Sequence, residues 1–442
     1  MLKGGGVHTS SQAGAVWLPF VAAAVAFALV GGFGLGGALF LAIALGLPLG
    51  AWWAAAGHAH GHAQLFGWAG LMVFGVGFHF LPRLRGRPLA HPEHARTVLA
   101  LMAGGLVLRV ITQPWQAQTP HPLLGAALVL SGLLELAGAT VGLGLFALTL
   151  RGDPPVRSRT GFASVLPLFA AAGGALWHAL AANVVAVAAL AAGAAGQAVA
   201  AGHYATLVGI YGFLVAISVG MGARLFPLHF GTPTPHIGLL RIGLGWLIAG
   251  LVLRLGGDLA GLTAATALGL ASMAAALGAF TIGLRVFAPR RAVPGERRPW
   301  HADAAQWHGL SAFAWLVVDA ALLGLGAAAW AWPELGRTAL AAEAHVVGAG
   351  FVTLLILGEG VNLLPGFARR PLRSGALVWA TLALGNLAAA LRTGPLLLPP
   401  LFPAGSAAVA LAASGLAGLL AVGLFALNLG GPRRPARSRP PA

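Results

Sequence analysis

The sequence predicts an all-α integral membrane protein with about twelve transmembrane helices. Hydrophobic residues make up 58% of the chain and charged residues only 8%, with a mean hydropathy of +0.85. A soluble domain normally carries about 25% charged residues, so this chain cannot cover a water-exposed surface. Apolar runs of about 20 residues recur along the whole length, and each is long enough to cross a bilayer. We therefore expect a lipid bilayer as the environment of the protein.

The apolar runs define twelve predicted spans in chain order. They cover residues 15–45, 60–82, 97–114, 121–150, 162–193, 202–228, 237–256, 258–288, 305–331, 341–366, 373–396 and 403–430. The first run continues to Trp52 and Trp53, and we interpret it as one tilted helix with an interfacial tail rather than a helix followed by a re-entrant piece. Residues 1–430 then form a single membrane domain. Residues 431–442, rich in Pro and Arg, form a basic solvated tail.

Basic residues mark one face of the membrane. The formal net charge is +16, but the arginines are scattered over short loops and form no continuous stripe, which excludes a nucleic-acid partner. The N-terminal Lys3 and the loops after the even-numbered spans hold 22 of the 26 basic residues. Since positive loops stay on the cytoplasmic side, both termini are predicted to be cytoplasmic. The even-numbered helices then run from the outer face to the inner face.

The absence of cysteine and the presence of a single lysine exclude several classes of chemistry. The chain has no cysteine, which excludes disulfides, covalent c-type haem attachment, cysteinyl iron–sulfur clusters and thiol catalysis. Its only lysine is Lys3, so the folded part offers no Walker lysine or Schiff-base lysine. Any bound metal must therefore be held mainly by histidine, methionine or carboxylate groups.

A histidine-rich stretch opens the second predicted helix and organises the chain. It reads Gly57-His58-Ala59-His60-Gly61-His62, and the apolar run that follows ends at Pro82. Weaker copies of the pattern run from His203 to Pro227 and from His345 to Pro365. On the predicted topology all of these histidines lie near the outer face. The sequence thus uses one helix design three times.

Arginine spacing sharpens this repeat. Three of the basic residues outside the positive loops end odd-numbered predicted helices at the outer face, namely Arg109, Arg254 and Arg392. The first of these arginines lies 47 residues after His62, and the third lies 47 residues after His345. The second lies 51 residues after His203, the spacing that separates His58 from the first. We predict three four-helix units, over residues 15–150, 162–288 and 305–430, around a pseudo-threefold axis.

The repeated histidines suit metal and haem binding. His62 and His345, at one depth on facing helices, can supply both axial nitrogens of a haem iron. Haem propionates are anionic, so the three outer arginines are candidates for binding them. His58 and His62 share one helix face and can instead chelate copper or another transition metal, while His60 points away. His203 is the candidate metal ligand of the second unit.

Each of these residues also has a purely structural interpretation. Interfacial histidines hydrogen-bond water or lipid headgroups, and outer arginines can anchor a helix by snorkelling. Glycines on the second and tenth helices leave room for a flat macrocycle but more often mediate helix packing. These glycines are Gly67, Gly70, Gly75, Gly77, Gly348, Gly350, Gly358 and Gly360. Three carboxyls within spans, Glu135, Asp319 and Glu359, need partners or protonation at that depth.

The second-helix segment resembles the NnrS family of haem- and copper-containing membrane proteins. The similar residues are His58-Ala59-His60-Gly61-His62-Ala63-Gln64-Leu65-Phe66-Gly67-Trp68-Ala69-Gly70 and, further on, Phe78-His79-Phe80-Leu81-Pro82. The wider arrangement is similar to the catalytic subunit of haem–copper oxidases and nitric oxide reductases. This resemblance implies a non-covalent b-type haem on His62 and His345, a copper site that includes His203, and propionate binding by Arg392. It also implies a bacterial inner membrane and nitric oxide or another small gas as the ligand.

Two departures from the oxidases shape the functional prediction. Glu343 stands where oxidases carry the histidine for a second haem, and the seventh predicted helix has no histidine for copper. We therefore expect an NnrS-type haem protein that binds or senses nitric oxide or acts in the response to it, rather than an enzyme. Two alternatives stay open: a divergent nitric oxide or oxygen reductase, and a metal- or proton-coupled transporter.

Overall fold

The computed structural model describes residues 16–151, 163–290, 300–331 and 342–431. In these ranges the chain is helical without β-strands, and twelve helices are long and apolar enough to cross a membrane. They are α1 (Trp17–Ala44), α2 (Ala51–Arg85), α3 (Pro92–Gln118), α4 (Pro122–Leu150), α5 (Leu166–Ala191), α6 (Ala195–His229), α7 (Ile237–Ala260), α8 (Thr263–Leu284), α9 (Ala304–Ala328), α10 (Ala342–Ala368), α11 (Gly375–Leu397) and α12 (Gly405–Leu429). Apart from Gly431, the predicted tail lies outside the described residues.

The length and composition of these helices determine the fold class. They contain 22 to 35 residues, and the mean hydropathy of their 18-residue cores is 1.3 to 2.2. About 20 helical residues span the roughly 30 Å hydrocarbon layer of a bilayer. A helix also satisfies its own backbone hydrogen bonds where no water is present. The chain is therefore an all-α, multi-pass integral membrane protein, and the predicted number of twelve helices is confirmed.

Local sequence signals set several helix ends. The side chains of His121, Asp303 and Ser374 accept hydrogen bonds from backbone N–H groups in the first turns of α4, α9 and α11. Glycines in the left-handed conformation terminate α2 and α7, where Gly86 has φ 64° and Gly261 has φ 67°. These ends fix short connections between successive helices.

The second, sixth and tenth helices form the centre of the bundle. In their 18-residue cores 67%, 72% and 78% of the residues are buried, against 28–56% in the other nine helices. Around them α4 packs on α5, α8 packs on α9, and α12 returns to pack on α1. The arrangement is a ring of outer helices around three inner ones, with the histidine-bearing helices inside.

Each central helix contains an eight-residue π-helical segment. The segments are Ala63–Gly70 in α2, Val208–Val215 in α6 and Val346–Thr353 in α10, and they contact one another pairwise. Two of them begin directly after His62 and His345. π-Helical turns are uncommon and occur frequently at functional sites. The three central helices therefore share an irregularity at the place where the histidine pattern ends.

The structure corrects the predicted start of the second helix. The first apolar run does not continue to Trp53, because α1 ends at Ala44 and Gly46 turns the chain with φ 65°. Both Trp52 and Trp53 belong to α2, which begins at Ala51. The histidine triplet consequently lies two turns inside the helix rather than at its mouth. Likewise α6 begins at Ala195, so His203 lies in its third turn.

Candidate functional site

Three buried polar clusters lie where the repeated arginines meet the central helices. We call them the Arg109 cluster, the Arg254 cluster and the Arg392 cluster. The arginines project from α3, α7 and α11, and each interacts with groups on a central helix. Because polar side chains are costly inside a membrane and are retained mainly for function, these clusters are the primary candidates for a site.

The Arg109 cluster contains a direct histidine–carboxylate contact. His62 Nε2 lies 2.7 Å from Glu135 Oε2, and Arg109 interacts electrostatically with both groups. Arg109 also donates through Nε to Gln113 and through Nη1 to Asn183. His62 is 8% exposed and Glu135 is fully buried. The Nε2 atom of His62 is thus already engaged, which leaves Nδ1 as the atom that can bind a metal in this geometry.

The Arg392 cluster contains the other two histidines of interest. His345 interacts electrostatically with His60 and with Arg392, whose guanidinium lies 4.4 Å from the ring centroid of Phe40. The Nδ1 atom of His345 is buried and has no hydrogen-bond partner among the described residues. An imidazole nitrogen left unpaired inside a protein is expensive unless a ligand satisfies it.

A break in α1 orients His60. The π-helical segment Ala28–Gly34 contains Gly32, whose backbone leaves the helical region with φ −90° and ψ −111°. The carbonyl of Gly32 is therefore free to accept, and His60 Nδ1 lies 2.9 Å from it. A Cβ on Gly32 would lie 2.7 Å from the end of the Gln64 side chain, which would have to shift to make room for it. With Nδ1 donating to a carbonyl, Nε2 of His60 is the nitrogen left to bind a metal, an arrangement common for metal-ligating histidines.

The Arg254 cluster is a buried network of two carboxyls, one arginine and one tyrosine. Arg254 donates through Nη1 to Glu343 Oε2 at 2.9 Å and through Nη2 to Glu343 Oε1 at 2.7 Å. Tyr211 donates to Asp319 Oδ2 at 2.9 Å, and its oxygen lies 3.5 Å from Glu343 Oε2. The other oxygen of Asp319, Oδ1, is buried without a hydrogen-bond partner in the described ranges. The network thus contains two acidic side chains, Asp319 and Glu343, and one basic side chain, Arg254.

A cavity of about 400 Å³ adjoins the Arg254 cluster. His203 lies at its wall, 45% exposed, with Nε2 3.5 Å from Asp258 Oδ2. Thr266 donates to the other oxygen of Asp258 at 2.9 Å. The lining residues are His203, Thr206, Leu207, Ile210, Arg254, Asp258, Thr266, Glu343 and Ala344. The cavity thus connects a solvent-accessible imidazole with the buried ion pair.

Comparison with models of known protein families gave no match, and comparison with curated proteins gave none either. The functional interpretation therefore rests on the residues of this chain.

The structure distributes the predicted site residues over separate clusters. His62 and Arg109 lie together, as do His60, His345 and Arg392, whereas His203 and Arg254 face the cavity. His58 is exposed and interacts electrostatically with Arg109. Helices α2 and α10 approach each other closely near these groups, since Trp68 Nε1 donates to Thr353 Oγ1 at 3.3 Å.

The partners of the predicted residues were missed by sequence analysis. No sequence pattern points to Asn183. The only sequence signal for Asp258 is that it lies one helical turn beyond Arg254. Glu135 and Asp319 were recognised as carboxyls in need of partners, and the structure supplies those partners. The predicted glycines mostly serve helix packing: a Cβ on Gly67 would meet Phe27, one on Gly350 would meet Trp315, and one on Gly360 would meet Phe425.

The residues around His345 fit an axial haem ligand. The site contains two imidazoles: His345, whose Nδ1 is unpaired, and the neighbouring His60, whose tautomer is fixed. The adjacent Arg392 supplies a cation for the anionic propionates. Gly348, one turn beyond His345, has open space on its Cβ side within 4 Å. These four features agree with haem chemistry at this position, and His62 could take part only if its contact with Glu135 were released.

Proposed function

We propose that this protein is a haem-binding membrane protein with the haem held between α2 and α10. The observation that carries the proposal is His345, a histidine on a central helix whose buried Nδ1 has no hydrogen-bond partner in the described ranges. Membrane interiors retain such groups chiefly where they bind an ion or cofactor. The absence of cysteine excludes covalent c-type attachment, so the proposed haem is non-covalent, and we assign it as b-type on the resemblance of the α2 segment to the NnrS family.

Helix α2 offers two histidines that could serve as the second haem ligand beside His345. Register in the sequence favours His62, which pairs with His345 through the spacing to the outer arginines. The hydrogen bonds favour His60, because its Nδ1 lies 2.9 Å from a carbonyl while Nε2 of His62 is held by Glu135. We therefore assign His345 and His60 as ligands and Arg392 as the propionate partner. His62, Glu135 and Arg109 then form an adjacent polar wall.

The proposed haem would supply an iron centre that can bind a small gas when one of its two histidine ligands is displaced. The assignment of nitric oxide as that gas rests on the resemblance of the α2 segment to the NnrS family. On the same basis, and from the basic loops after even-numbered helices, we place the protein in a bacterial inner membrane with both termini in the cytoplasm. A role in binding or sensing is favoured over turnover, because Glu343 stands where oxidases carry the histidine for a second haem, and this glutamate is bound to Arg254.

Absorption spectroscopy of the purified protein tests this proposal. Expression with ample haem is expected to give a Soret band and one b-type haem per chain by pyridine haemochrome assay. His345→Ala and His60→Ala should abolish the low-spin bis-imidazole spectrum, whereas His62→Ala should retain it. His178→Ala is the matched control, since His178 is an exposed histidine on α5. Absence of a Soret band, or an unchanged spectrum in the His345→Ala/His60→Ala/His62→Ala triple variant, would overturn the proposal.

The gas ligand has its own test. Adding nitric oxide to the reduced protein should shift the Soret band, with stoichiometric binding and no sustained consumption of the gas. Continuous consumption with a quinol or cytochrome donor would instead establish the reductase alternative. A spectrum that does not respond to nitric oxide would contradict the gas-binding role while leaving the haem assignment in place.

The cavity beside the Arg254 cluster favours metal- or proton-coupled transport as a second candidate function. The exposed His203, paired with Asp258, leads through this cavity to the buried Glu343, which is bound to Arg254. The hydroxyl of Tyr211 lies between Glu343 and the second buried carboxyl, Asp319. Such a series of groups can transfer protons from His203 toward the buried carboxyls. The His203–Asp258 pair also offers one nitrogen and one oxygen ligand for copper. Proteoliposomes that move protons or copper without bound haem would support this function. The Asp258→Asn variant should then reduce the flux.

A further inference from the structure

A second group of metal-binding residue types lies at the opposite end of α2 from the haem candidates. His91 immediately precedes α3, and Glu93 and His94 lie in its first turn. One ligand atom of each of the three residues lies within 4.8 Å of those of the other two. We call this group the His-Glu-His cluster. The helical path from His60 to Pro82 alone is 22 residues, or about 33 Å, so the cluster is remote from the Arg392 cluster.

The geometry of the cluster is close to that of a coordination site. Nδ1 of His91 lies 3.3 Å from Oε1 of Glu93, and the rings of His91 and His94 have centroids 6.0 Å apart with an angle of 34° between their planes. The side chains of His91 and Glu93 are 60% and 62% exposed, so an ion can enter from water without any rearrangement of the core.

The backbone of the turn holds His91 in an unusual conformation. His91 has φ 47° and ψ 57°, the left-handed region, although it is not glycine and precedes Pro92. Residues before proline strongly prefer an extended backbone, so this conformation costs free energy. The N–H of His94 donates to the carbonyl of His91 at 3.1 Å and closes the turn. The strained residue thereby turns its imidazole back toward Glu93 and His94.

Contacts on both sides hold the turn in place. Ala90 donates through its N–H to Thr149 Oγ1 on α4 at 3.0 Å, and the preceding Leu89 is buried. On the other side Ala95 and Val98 are buried against the bundle. Because both flanks are anchored, the backbone that carries the three ligand side chains is held before an ion arrives, which lowers the entropic cost of binding.

Two arginines that precede the cluster, Arg85 and Arg87, bind the carboxyl end of α4. Arg85 donates from Nη2 to the carbonyl of Leu150 at 2.7 Å, and Arg87 donates from Nη1 to the carbonyl of Arg151 at 3.1 Å. These contacts fix the two guanidinium groups on the carboxyl end of α4. Within the turn the Glu93 carboxylate lies 3.3 Å from Nδ1 of His91, and its negative charge favours a cation.

We propose that the His-Glu-His cluster binds one divalent transition-metal ion of the Zn²⁺, Ni²⁺ and Cu²⁺ class. Two imidazole nitrogens and one carboxylate oxygen form a donor set for these borderline ions, whereas Mg²⁺ and Ca²⁺ prefer oxygen ligands alone. Three protein ligands leave a fourth position for water or another molecule. This site requires neither the haem nor the cavity.

Metal titration of the full-length protein in detergent tests this proposal. Isothermal titration with Zn²⁺ and electron paramagnetic resonance with Cu²⁺ are the measurements, with Mg²⁺ present as a competitor. His91→Ala, His94→Ala and Glu93→Gln should each weaken one equivalent of Zn²⁺ binding by about tenfold or more. Two nitrogen couplings of the bound Cu²⁺ should fall to one in each histidine variant. Affinity should follow the order Cu²⁺ above Ni²⁺.

His236→Ala is the matched control. His236 is also an exposed histidine at the start of an odd-numbered helix, and it lacks a metal-binding partner set among the described residues. This variant should bind Zn²⁺ as the parent protein does. The proposal is overturned if the His91→Ala/Glu93→Gln/His94→Ala variant retains the same stoichiometry and affinity, or if His236→Ala loses binding to the same degree. A size-exclusion profile identical to that of the parent protein shows that the variants are folded.

Discussion

Arg254 and Glu343 form a two-point ion pair between α7 and α10, with hydrogen bonds of 2.9 and 2.7 Å. Arg254 is 4% exposed and Glu343 is 7% exposed, so both charges are removed from water. A buried pair of this kind is costly to form but far more costly to break. The pair therefore fixes how the second predicted unit meets the third.

Breaking this pair should destabilise the protein. We expect Glu343→Gln to lower the free energy of unfolding by about 3–5 kcal/mol, because Arg254 is left buried without its counter-charge. Denaturation in mixed micelles, followed by tryptophan fluorescence, measures the change. The Arg254→Met/Glu343→Leu double variant removes both charges and should recover most of the loss. If the double variant is as unstable as the single one, the pair is not the source of the effect.

Because α1 and α12 are in close contact, one methyl group added between them should have a large effect on stability. A Cβ on Gly415 would overlap the backbone of Gly37, which cannot move away as a flexible side chain would. Gly415→Ala should therefore separate α1 from α12 and lower the thermal stability in detergent. Gly423→Ala on the same helix is the control, because a Cβ there meets nothing within 4 Å. Equal melting temperatures for the two variants would refute the close approach.

The hydrogen bond between Trp68 and Thr353 should couple α2 to α10. Trp68 Nε1 donates to Thr353 Oγ1 at 3.3 Å, and Thr353 Oγ1 itself donates to the carbonyl of Gly348 at 2.8 Å. Trp68→Phe and Thr353→Val should each cost about 1 kcal/mol beyond their packing effects. A double-mutant cycle should give a coupling energy of about 0.5–1.5 kcal/mol. Additive effects of the two substitutions would show that the residues do not interact.

Fusion reporters should reveal the orientation of the bundle. The positive loops predict that the loop between α3 and α4, which contains His121, lies outside the cytoplasm. A periplasmic phosphatase fused there should be active, and a fluorescent protein at the C-terminus should fold in the cytoplasm. The loop between α2 and α3 serves as the opposite control, with an inactive phosphatase expected. The reverse pattern would place the His-Glu-His cluster outside.

Hydropathy predicted the membrane helices because each span needs only a length and an apolar composition. The break after α1 was missed, although Gly46, Pro48 and Gly50 stand between Ala44 and Ala51 and are typical of a turn. Leu45, Leu47 and Leu49 alternate with those residues and keep the mean hydropathy high, so a window over composition does not detect the turn. The identities of Gly46, Pro48 and Gly50, rather than the mean hydropathy, indicate where the helix breaks.

The interaction partners of the site residues were harder to predict than the site residues themselves. Depth in the membrane follows from the position along a helix, and it put His60, His62 and His345 near one level. The direction in which each side chain points depends on helix rotation, which π-helical segments change locally. For that reason the contact of His62 with Glu135 and the interaction of His60 with His345 were inaccessible from spacing. The left-handed backbone of His91 was equally inaccessible, since residues before proline favour the opposite conformation.

The π-helical segments of α2, α6 and α10 act as phase shifts. Each wide turn advances the chain by an extra residue, so the part of the helix before the segment is rotated by about 100° relative to an uninterrupted α-helix. A helical wheel drawn through α2 from His60 to Pro82 therefore assigns one half of the helix to the wrong neighbours. Deleting one residue within Ala63–Gly70 would restore a regular helix and swing His60 and His62 away from Gly32 and Glu135. The same three-dimensional clusters would then be lost from a sequence that differs by a single residue and retains every histidine.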